Sequence, residues 1–538
     1  MFRILLLKDI VFKAPKNHAL DTLLVIAMLT ILTAVAWGEP TPYVVLSGER
    51  PGDGFGFTVS GAGDVNGDGF KDAIVGAPFV AVDIGRAYVF FGGSAADDVA
   101  DLTLNGDPAS HLFGVSVSKA GDVNADGFDD IIVGAENSGA YLFFGGTAPD
   151  EIADLVLLGE DVSDFFGHSV STIGDFNDDG FHDVIVGAPG NDYSGHDAGR
   201  AYVYFGGPSL DTSADAVLSG EGTDDYFGYS VSVAGDANGD GYEDLFVGAR
   251  SNAIYEPGRA YLYYGGPGFD AIADLTLTEN TLIPGFAHSV SGGIDVNGDG
   301  FDEVVVGHFY GEIARVYYGI PQPDATPLAD LSLTTPPEDW FGMSVSGAGD
   351  LNGDNYGDLM VGAPSAQRAY VYLGGRNPDT IYDIAIFEGA TGFGAQVSGS
   401  GDFNGDGFDD MIVATPFIDS GRAYIYLGGS DLGVSGQDAT GIGLDPPATG
   451  HLSLSPPFPN PLFGTRPSLV KFTLDRPVPV RLLLQDVQGR TVAQRASESF
   501  TSGNHSVSWS PGDLPSGVYY LRIEAGADAA STKWVIVR

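Results

Sequence analysis

Asp64-Val65-Asn66-Gly67-Asp68-Gly69-Phe70-Lys71-Asp72 decides how the rest of the chain is read. Oxygen-bearing side chains stand at positions 1, 3, 5 and 9 of this nonapeptide, with glycine at position 6. A hard cation such as Ca2+ takes about six to eight oxygen ligands from a flexible loop. Glycine at 6 permits the sharp turn that brings the carbonyl of position 7 inward. A single copy would compete with an ordinary turn, because Asp, Asn and Gly all favour turns.

The pattern begins again at Asp122, Asp175, Asp236, Asp295, Asp350 and Asp402, at intervals of 58, 53, 61, 59, 55 and 52 residues. Unrelated turns would not keep all four oxygen positions seven times, so the reading is calcium ligation, with up to seven Ca2+. The candidate ligands in the first loop are Asp64, Asn66, Asp68, the Phe70 carbonyl and Asp72. In the second and third they are Asp122, Asn124, Asp126, Phe128 and Asp130, then Asp175, Asn177, Asp179, Phe181 and Asp183. The fourth and fifth offer Asp236, Asn238, Asp240, Tyr242 and Asp244, then Asp295, Asn297, Asp299, Phe301 and Glu303. The last two offer Asp350, Asn352, Asp354, Tyr356 and Asp358, then Asp402, Asn404, Asp406, Phe408 and Asp410. Position 6 departs from glycine only at Asn355, and Asn also tolerates left-handed backbone.

Composition narrows the function. The net charge of −48 is uneven: residues 41–449 hold 11 Lys+Arg against 63 Asp+Glu, and residues 450–538 hold 9 against 6. Such a surface repels nucleic acid and anionic membranes, so nucleic acid is excluded as a partner. An apolar fraction of 43% excludes a disordered chain. The absence of Cys removes disulfides and thiolate metal sites, leaving fold closure and metal to stabilise the chain.

Residues 1–38 read as a signal peptide: Lys8, Lys13 and Lys16 precede an apolar run of 14 residues, Leu23 to Ala36, ending in Ala34-Val35-Ala36. The run is short for a membrane span. Residues 41–430 repeat a unit of about 55 residues with four short β-rich segments and no helical period. Four strands per repeat, seven times, predict a seven-bladed β-propeller. The outer-strand segment precedes each Phe-Gly element from Tyr43-Val-Val-Leu-Ser47 onward, and is not clearly repeated after Gly429. Tyr43–Ser47 is therefore expected to pair with Gly421–Leu427 and close the ring, removing exposed edges. Residues 431–449 read as a Gly/Pro linker, and 450–538 as a small antiparallel β-sandwich of immunoglobulin type. The fold class is all-β throughout.

The recurring Phe-Gly pairs (Phe55, Phe113, Phe166, Phe227, Phe341, Phe393), the acidic loop and Val-Gly-Ala-Pro at 75–78, 186–189 and 361–364 resemble the FG-GAP repeat of integrin α-subunits. The resemblance covers about 390 residues. It implies a seven-bladed propeller with calcium in hairpin loops on one face and ligands or partner subunits on the other. Unit 5 departs, with Gly285-Phe286-Ala287 and Gly307-His308-Phe309-Tyr310. The tail resembles the sorting domains of the bacterial type IX secretion system and the immunoglobulin-like domain of hook-capping proteins. Phe458-Pro-Asn-Pro461, Asp486-Val-Gln-Gly-Arg490, Ser516-Gly-Val-Tyr-Tyr520 and Lys533-Trp-Val-Ile-Val-Arg538 carry it. It implies transport by the outer-membrane secretion machinery, with the protein released or attached to the surface.

Plain structural roles account for the Phe-Gly phenylalanines, as wedges between blades, and for Arg86, Arg200, Arg259 and Arg422, as ion pairs at strand starts. The nonrepeating loops point instead to recognition. Asp192, Tyr193 and His196 of unit 3, Tyr255 of unit 4, and His308 and Tyr310 of unit 5 are expected on the face opposite the calcium, facing a protein or glycan. His-Glu-x-x-His, Gly-x-Ser-x-Gly and a phosphate-binding Gly-Lys loop are all missing. The reading is a secreted or surface-attached, non-catalytic adhesion protein. Its rival is an extracellular carbohydrate-active lyase or hydrolase using the same loop face through His196, His308 or Tyr310. The sequence does not give the oligomeric state.

Overall fold

In the computed structural model, the second strand of each repeat is the most buried element. In unit 1 it is Asp72–Ala77, and all six residues are buried. The sequence Asp-Ala-Ile-Val-Gly-Ala presents β-branched side chains to both faces, as a strand covered on both sides requires. Its neighbour Thr58–Gly63 is buried at Val59, Ala62 and Gly63, while Leu102–Asn105 at the outer edge buries one leucine, Leu104. With Arg86–Phe90 between them and the edge, these four strands form one antiparallel sheet.

The described residues are 40–430 apart from 108–109, 209, 252–257, 280–282, 320–328 and 335–338, then 432, 452–454, 462–463, 468–474, 476, 478–485, 490–501, 503–509, 514–515, 517–525 and 528–537. The signal-peptide reading of 1–38 and nearly all of the linker reading of 431–449 lie outside them. Among the described residues no helix is long and apolar enough to cross a membrane. The chain divides into two compact units, up to Ala439 and from Thr440 onward.

Among the described residues, seven four-stranded antiparallel sheets make up the first unit. Their inner strands are Thr58–Gly63, Phe113–Gly121, Ser169–Thr172, Phe227–Gly235, Phe286–Ile294, Val345–Gly349 and Gln396–Gly401. Each contacts the next, and the last returns to the first, so the sheets close into a β-propeller. The expected closing strand is present: Val44–Ser47 pairs antiparallel with Arg422–Tyr426, in register from Val44 opposite Ile425 to Ser47 opposite Arg422.

The hydrophobic core lies between neighbouring sheets. At the closure, Leu46, Ile412 and Ile425 of sheet 7 pack with Phe55, Val75 and Tyr88 of sheet 1. A Phe-Gly phenylalanine sits in each inter-sheet core, and Phe55, Phe113, Phe166, Phe227, Phe286, Phe341 and Phe393 are all 0–1% exposed. The glycine after it is fixed by close approach. Gly114 has a φ of 84°, and a side chain there would come within 2.2 Å of the Arg86 carbonyl in the preceding sheet. Unit 5 holds the same left-handed turn with Ala287 at a φ of 61°. Three of the four expected ion pairs bridge sheets, with Arg86 reaching Glu49 at 2.8 Å, Arg200 reaching Glu160 at 2.9 Å and Arg259 reaching Glu221 at 2.8 Å, whereas Arg422 lies 3.9 Å from Asp419 in its own hairpin.

Among the described residues, the second unit has a three-stranded sheet (Leu452–Leu454, Ser468–Leu474, Gly503–Trp509) and a five-stranded one (Leu462–Phe463, Asp528–Val537, Gly517–Ala525, Val478–Gln485, Thr491–Phe500). Val470, Val507 and Trp509 of the first share a core with Leu482, Leu484 and Leu521 of the second, which makes the pair a sandwich. The sequence did not point to Thr491–Phe500, and Leu462–Phe463 pairs in parallel with the C-terminal strand, against the all-antiparallel expectation.

Candidate functional site

The seven acidic nonapeptides each connect the inner strand of a sheet to its second strand, so all lie at one end of the ring. In the first, Asp64 accepts the N–H groups of Asp68 at 3.1 Å and Gly69 at 3.0 Å, and Asn66 Oδ1 accepts that of Asp68 at 2.8 Å. Asp68 Oδ1 accepts the Phe70 N–H at 3.0 Å. These bonds curl the loop and turn its oxygens toward one another. Position 9 is different. Asp72, Asp130, Asp183, Asp244, Glu303, Asp358 and Asp410 are all 0% exposed. One Asp72 oxygen accepts the Val65 N–H at 2.9 Å and the other the Gly92 N–H at 2.8 Å, so the carboxylate ties the loop to the third strand.

Burial, and then the carboxylates of positions 5 and 1, push the Asp72 carboxyl up to about 7 and that of Asp244 up to about 8. Seven such groups carry this strain together. The donor set fits a hard cation. It is oxygen only, and each position-9 carboxylate keeps lone pairs beyond its two N–H partners. In the third loop the buried Asn177 Oδ1 has no partner, and in the fifth, oxygens of Asp295, Asp299 and Glu303 lie within 4.8 Å of one another.

The loops are also linked to each other, which the sequence did not reveal. In six of the seven loops the position-8 N–H donates to the position-1 carbonyl of the preceding loop, as in Asp129 to Asp64 at 3.2 Å, His182 to Asp122 at 3.1 Å and Asp409 to Asp350 at 3.2 Å. Lys71 to Asp402 at 3.1 Å closes the circle. The position-7 ring rests on the preceding loop: a side chain at Gly67 would come within 2.3 Å of Phe128, and one at Gly405 within 2.3 Å of Phe70.

The opposite end carries the loops between second and third strands and those between sheets. Tyr193 is 75% exposed, with the Arg200 guanidinium 3.6 Å from its ring centre. Asp192 Oδ1 accepts the Asp197 N–H at 2.8 Å, which shapes the turn. His196 Nδ1 lies 3.2 Å from both Asp224 and Asp197, and the bond to Asp224 comes first in raising its imidazole above the usual value. Tyr310 is 55% exposed and stacks on Phe309 at 3.9 Å. Tyr255 lies outside the described residues. His308 does not project. It is 1% exposed because it takes the last inward position of strand Glu303–His308, and its Nε2 lies 3.1 Å from the Ile283 carbonyl. The expectation for His308 is corrected: it supports the loop from beneath.

A second set of residues on this end escaped the sequence reading. The ring encloses an axial channel of about 1300 Å3, lined by Ser and Thr of the inner strands. Around its mouth stand Phe57, Val115, His168, Tyr229, His288 and Met343, each the residue directly after a Phe-Gly pair or its Phe286-Ala287 equivalent. The usable signal was a variable residue after a constant pair, which puts chemically different side chains at one structural position.

FG-GAP repeats match residues 55–90, 113–148, 166–204, 227–263, 341–374 and 393–426, leaving out unit 5, whose motifs depart. The secretion system C-terminal sorting domain matches residues 458–538. Integrin alpha-5 of Xenopus laevis is 30% identical over 250 residues, covering 43% of this chain and 22% of that protein. Integrin alpha-7 of Rattus norvegicus is 40% identical over 158 residues, covering 27% and 14%. The chain therefore spans a minor part of the length of these relatives. PorZ, a bacterial surface component of the type IX secretion system of Porphyromonas gingivalis, has a TM-score of 0.43 at 12% identity, over 91% of this chain and 60% of that one. That likeness is too low to bear on function. The sorting domain marks the protein for type IX export to the cell surface or the extracellular space and implies a contact with that machinery. The chain thus carries six FG-GAP repeats in a β-propeller and, at its C-terminal end, a secretion system sorting domain that marks it for export.

Proposed function

We propose that the protein is a non-catalytic adhesion or ligand-binding protein whose repeat loops hold Ca2+ and whose opposite face meets an extracellular protein or glycan. The carrying observation is the contrast between the two ends. At one end a fully buried carboxylate recurs in all seven acidic loops. At the other, large exposed side chains differ from sheet to sheet: Phe79, Tyr193, Tyr310, Trp340 and Phe417 are 38–75% exposed. The side chains of positions 1, 3, 5 and 9 and the carbonyl of position 7 would hold each ion. The ion would supply the positive charge that lets three neighbouring carboxylates ionise together. The role is architectural, since a loop fixed at both ends of its hairpin fixes the sheet.

Metal analysis of the purified protein tests the first part, with several Ca2+ per chain expected. Adhesion of protein-coated beads to cells and extracellular matrix, with and without chelator, tests the second. Beads that never adhere, or a protein that holds no Ca2+ at millimolar concentration, would overturn the corresponding half.

A further inference from the structure

The channel mouth opposite the acidic loops carries a ladder of flat rings along one arc. His168 of sheet 3 lies 4.7 Å from Tyr229 of sheet 4, and Tyr229 lies 5.3 Å from His288 of sheet 5. His288 lies 4.7 Å from Phe309, which stacks on Tyr310 at 3.9 Å. Polar groups border the same arc. Glu136 Oε1 is 3.3 Å from His168 Nδ1, and Arg250 Nη1 donates to Tyr229 Oη at 2.7 Å with its guanidinium 4.7 Å from that ring's centre.

Two buried polar atoms of channel-lining residues in this arc have no partner: His288 Nδ1 and, beside His168, Ser169 Oγ. An unmet buried polar atom is costly, and a group that can both donate and accept would satisfy an imidazole nitrogen in either tautomer. A hydroxyl is such a group.

Charge selects the ligand further. The net charge of −48 opposes a polyanion. The Arg250 guanidinium beside Tyr229 opposes a cation in this arc. What remains is a neutral molecule with apolar faces to lie on rings and hydroxyls at its edges. The channel, at about 1300 Å3, exceeds the roughly 300–1,000 Å3 usual for small-molecule pockets, so a chain of several rings has room.

We propose that this mouth binds a neutral oligosaccharide, stacked on the Tyr229–His288–Phe309 ladder and hydrogen-bonded to His288, Arg250 and Glu136. The inference rests on the reading that the end opposite the acidic loops is the recognition face. The test is calorimetric titration of the full chain in Ca2+ with neutral hexasaccharides of glucan, mannan, galactan and chitin type, alongside an anionic uronic-acid hexasaccharide.

At least one neutral sugar should bind saturably, and Tyr229→Ala and Phe309→Ala should each weaken it by roughly tenfold or more. His288→Gln, which keeps hydrogen-bonding capacity, should weaken it less than His288→Ala. Ile152→Ala, on the exposed loop between the third and fourth strands of sheet 2 at the acidic-loop end, should leave it unchanged, and melting curves of all variants establish that they fold. No neutral sugar binding, preference for the uronic acid, or binding indifferent to both Tyr229→Ala and Phe309→Ala would overturn the proposal. In any of these cases, beads that still adhere, and lose adhesion in Tyr310→Ala or Trp340→Ala, leave the recognition-face reading standing. Beads that never adhere remove both.

Discussion

The two ends of the ring are made from the same repeats under opposite demands. At the end with the acidic loops, Asp, Asn, Asp and an acidic residue recur at positions 1, 3, 5 and 9, and each position-9 carboxylate is 0% exposed. At the other end, the residue after Phe-Gly is Phe57, Val115, His168, Tyr229, Met343 or Ala395. A loop that tells one sheet how to meet the next has to be the same seven times, because the junction is the same seven times. A loop that meets something outside the chain has no such constraint. Under the proposed function the contrast separates architecture from recognition, and it can be attacked from both sides.

The largest effect should come from removing metal. Chelation leaves seven sets of carboxylates facing one another, and the melting temperature should fall by on the order of 10 °C or more. An unchanged melt in excess chelator would show that the acidic end is not held by cations.

In chelator, pH should matter next most. The position-9 carboxyls are pushed up to about 7 or 8 in the fold, above the unfolded value of about 4. The fold therefore favours their protonated form. That contribution is complete below the unfolded value and is lost as pH rises through the folded one. The metal-free protein should melt lower at about pH 8 than at about pH 6. With Ca2+ the order should reverse, because the ion binds the ionised form; melts at both values decide this.

Phe227→Ala, in the core between sheets 3 and 4, should cost about 3–5 kcal/mol in urea unfolding. A smaller loss would mean that adjacent sheets are held mainly by their loops. Asp130→Asn swaps one of two oxygens that each accept a backbone N–H, from Val123 and Gly145, for an amide donor. It should cost about 1–3 kcal/mol, and more in Ca2+ than in chelator. Equal costs in both would remove Asp130 from the ligand set.

The smallest effect on stability should be at the variable end. Trp340 is 51% exposed, and Trp340→Ala should stay within about 0.5 kcal/mol while reducing adhesion. A large loss of stability there would erase the distinction between the two ends.

Much of the fold was legible because repetition amplifies weak signals. One Asp-x-Asn-x-Asp-Gly stretch is a turn, whereas seven at regular spacing are a sheet-forming unit. The closing strand was legible for a related reason: a unit lacking its outer strand at one end and a spare strand at the other imply each other. His308 was misread because the missing Ala-Pro suggested a loop, while His308 takes the last buried strand position that Ala77 holds in unit 1. Thr491–Phe500 escaped because its alternation is diluted by Gln494, Arg495 and Glu498.

By itself the sequence determined the four-stranded unit, the sevenfold repeat, the oxygen-only acidic loops and the exported character of the chain. These are periodic or local properties, set by alternation, turn chemistry and short motifs that neighbouring residues carry without help. The tertiary structure alone decided which residues meet across sheets. It linked position 8 of six acidic loops to position 1 of the one before, and gathered His168, Tyr229 and His288 at one channel mouth. Those residues are about sixty positions apart in the chain. Only closure of the sheets around a common axis gives them a shared neighbourhood, and no pattern along the chain encodes an angle between sheets.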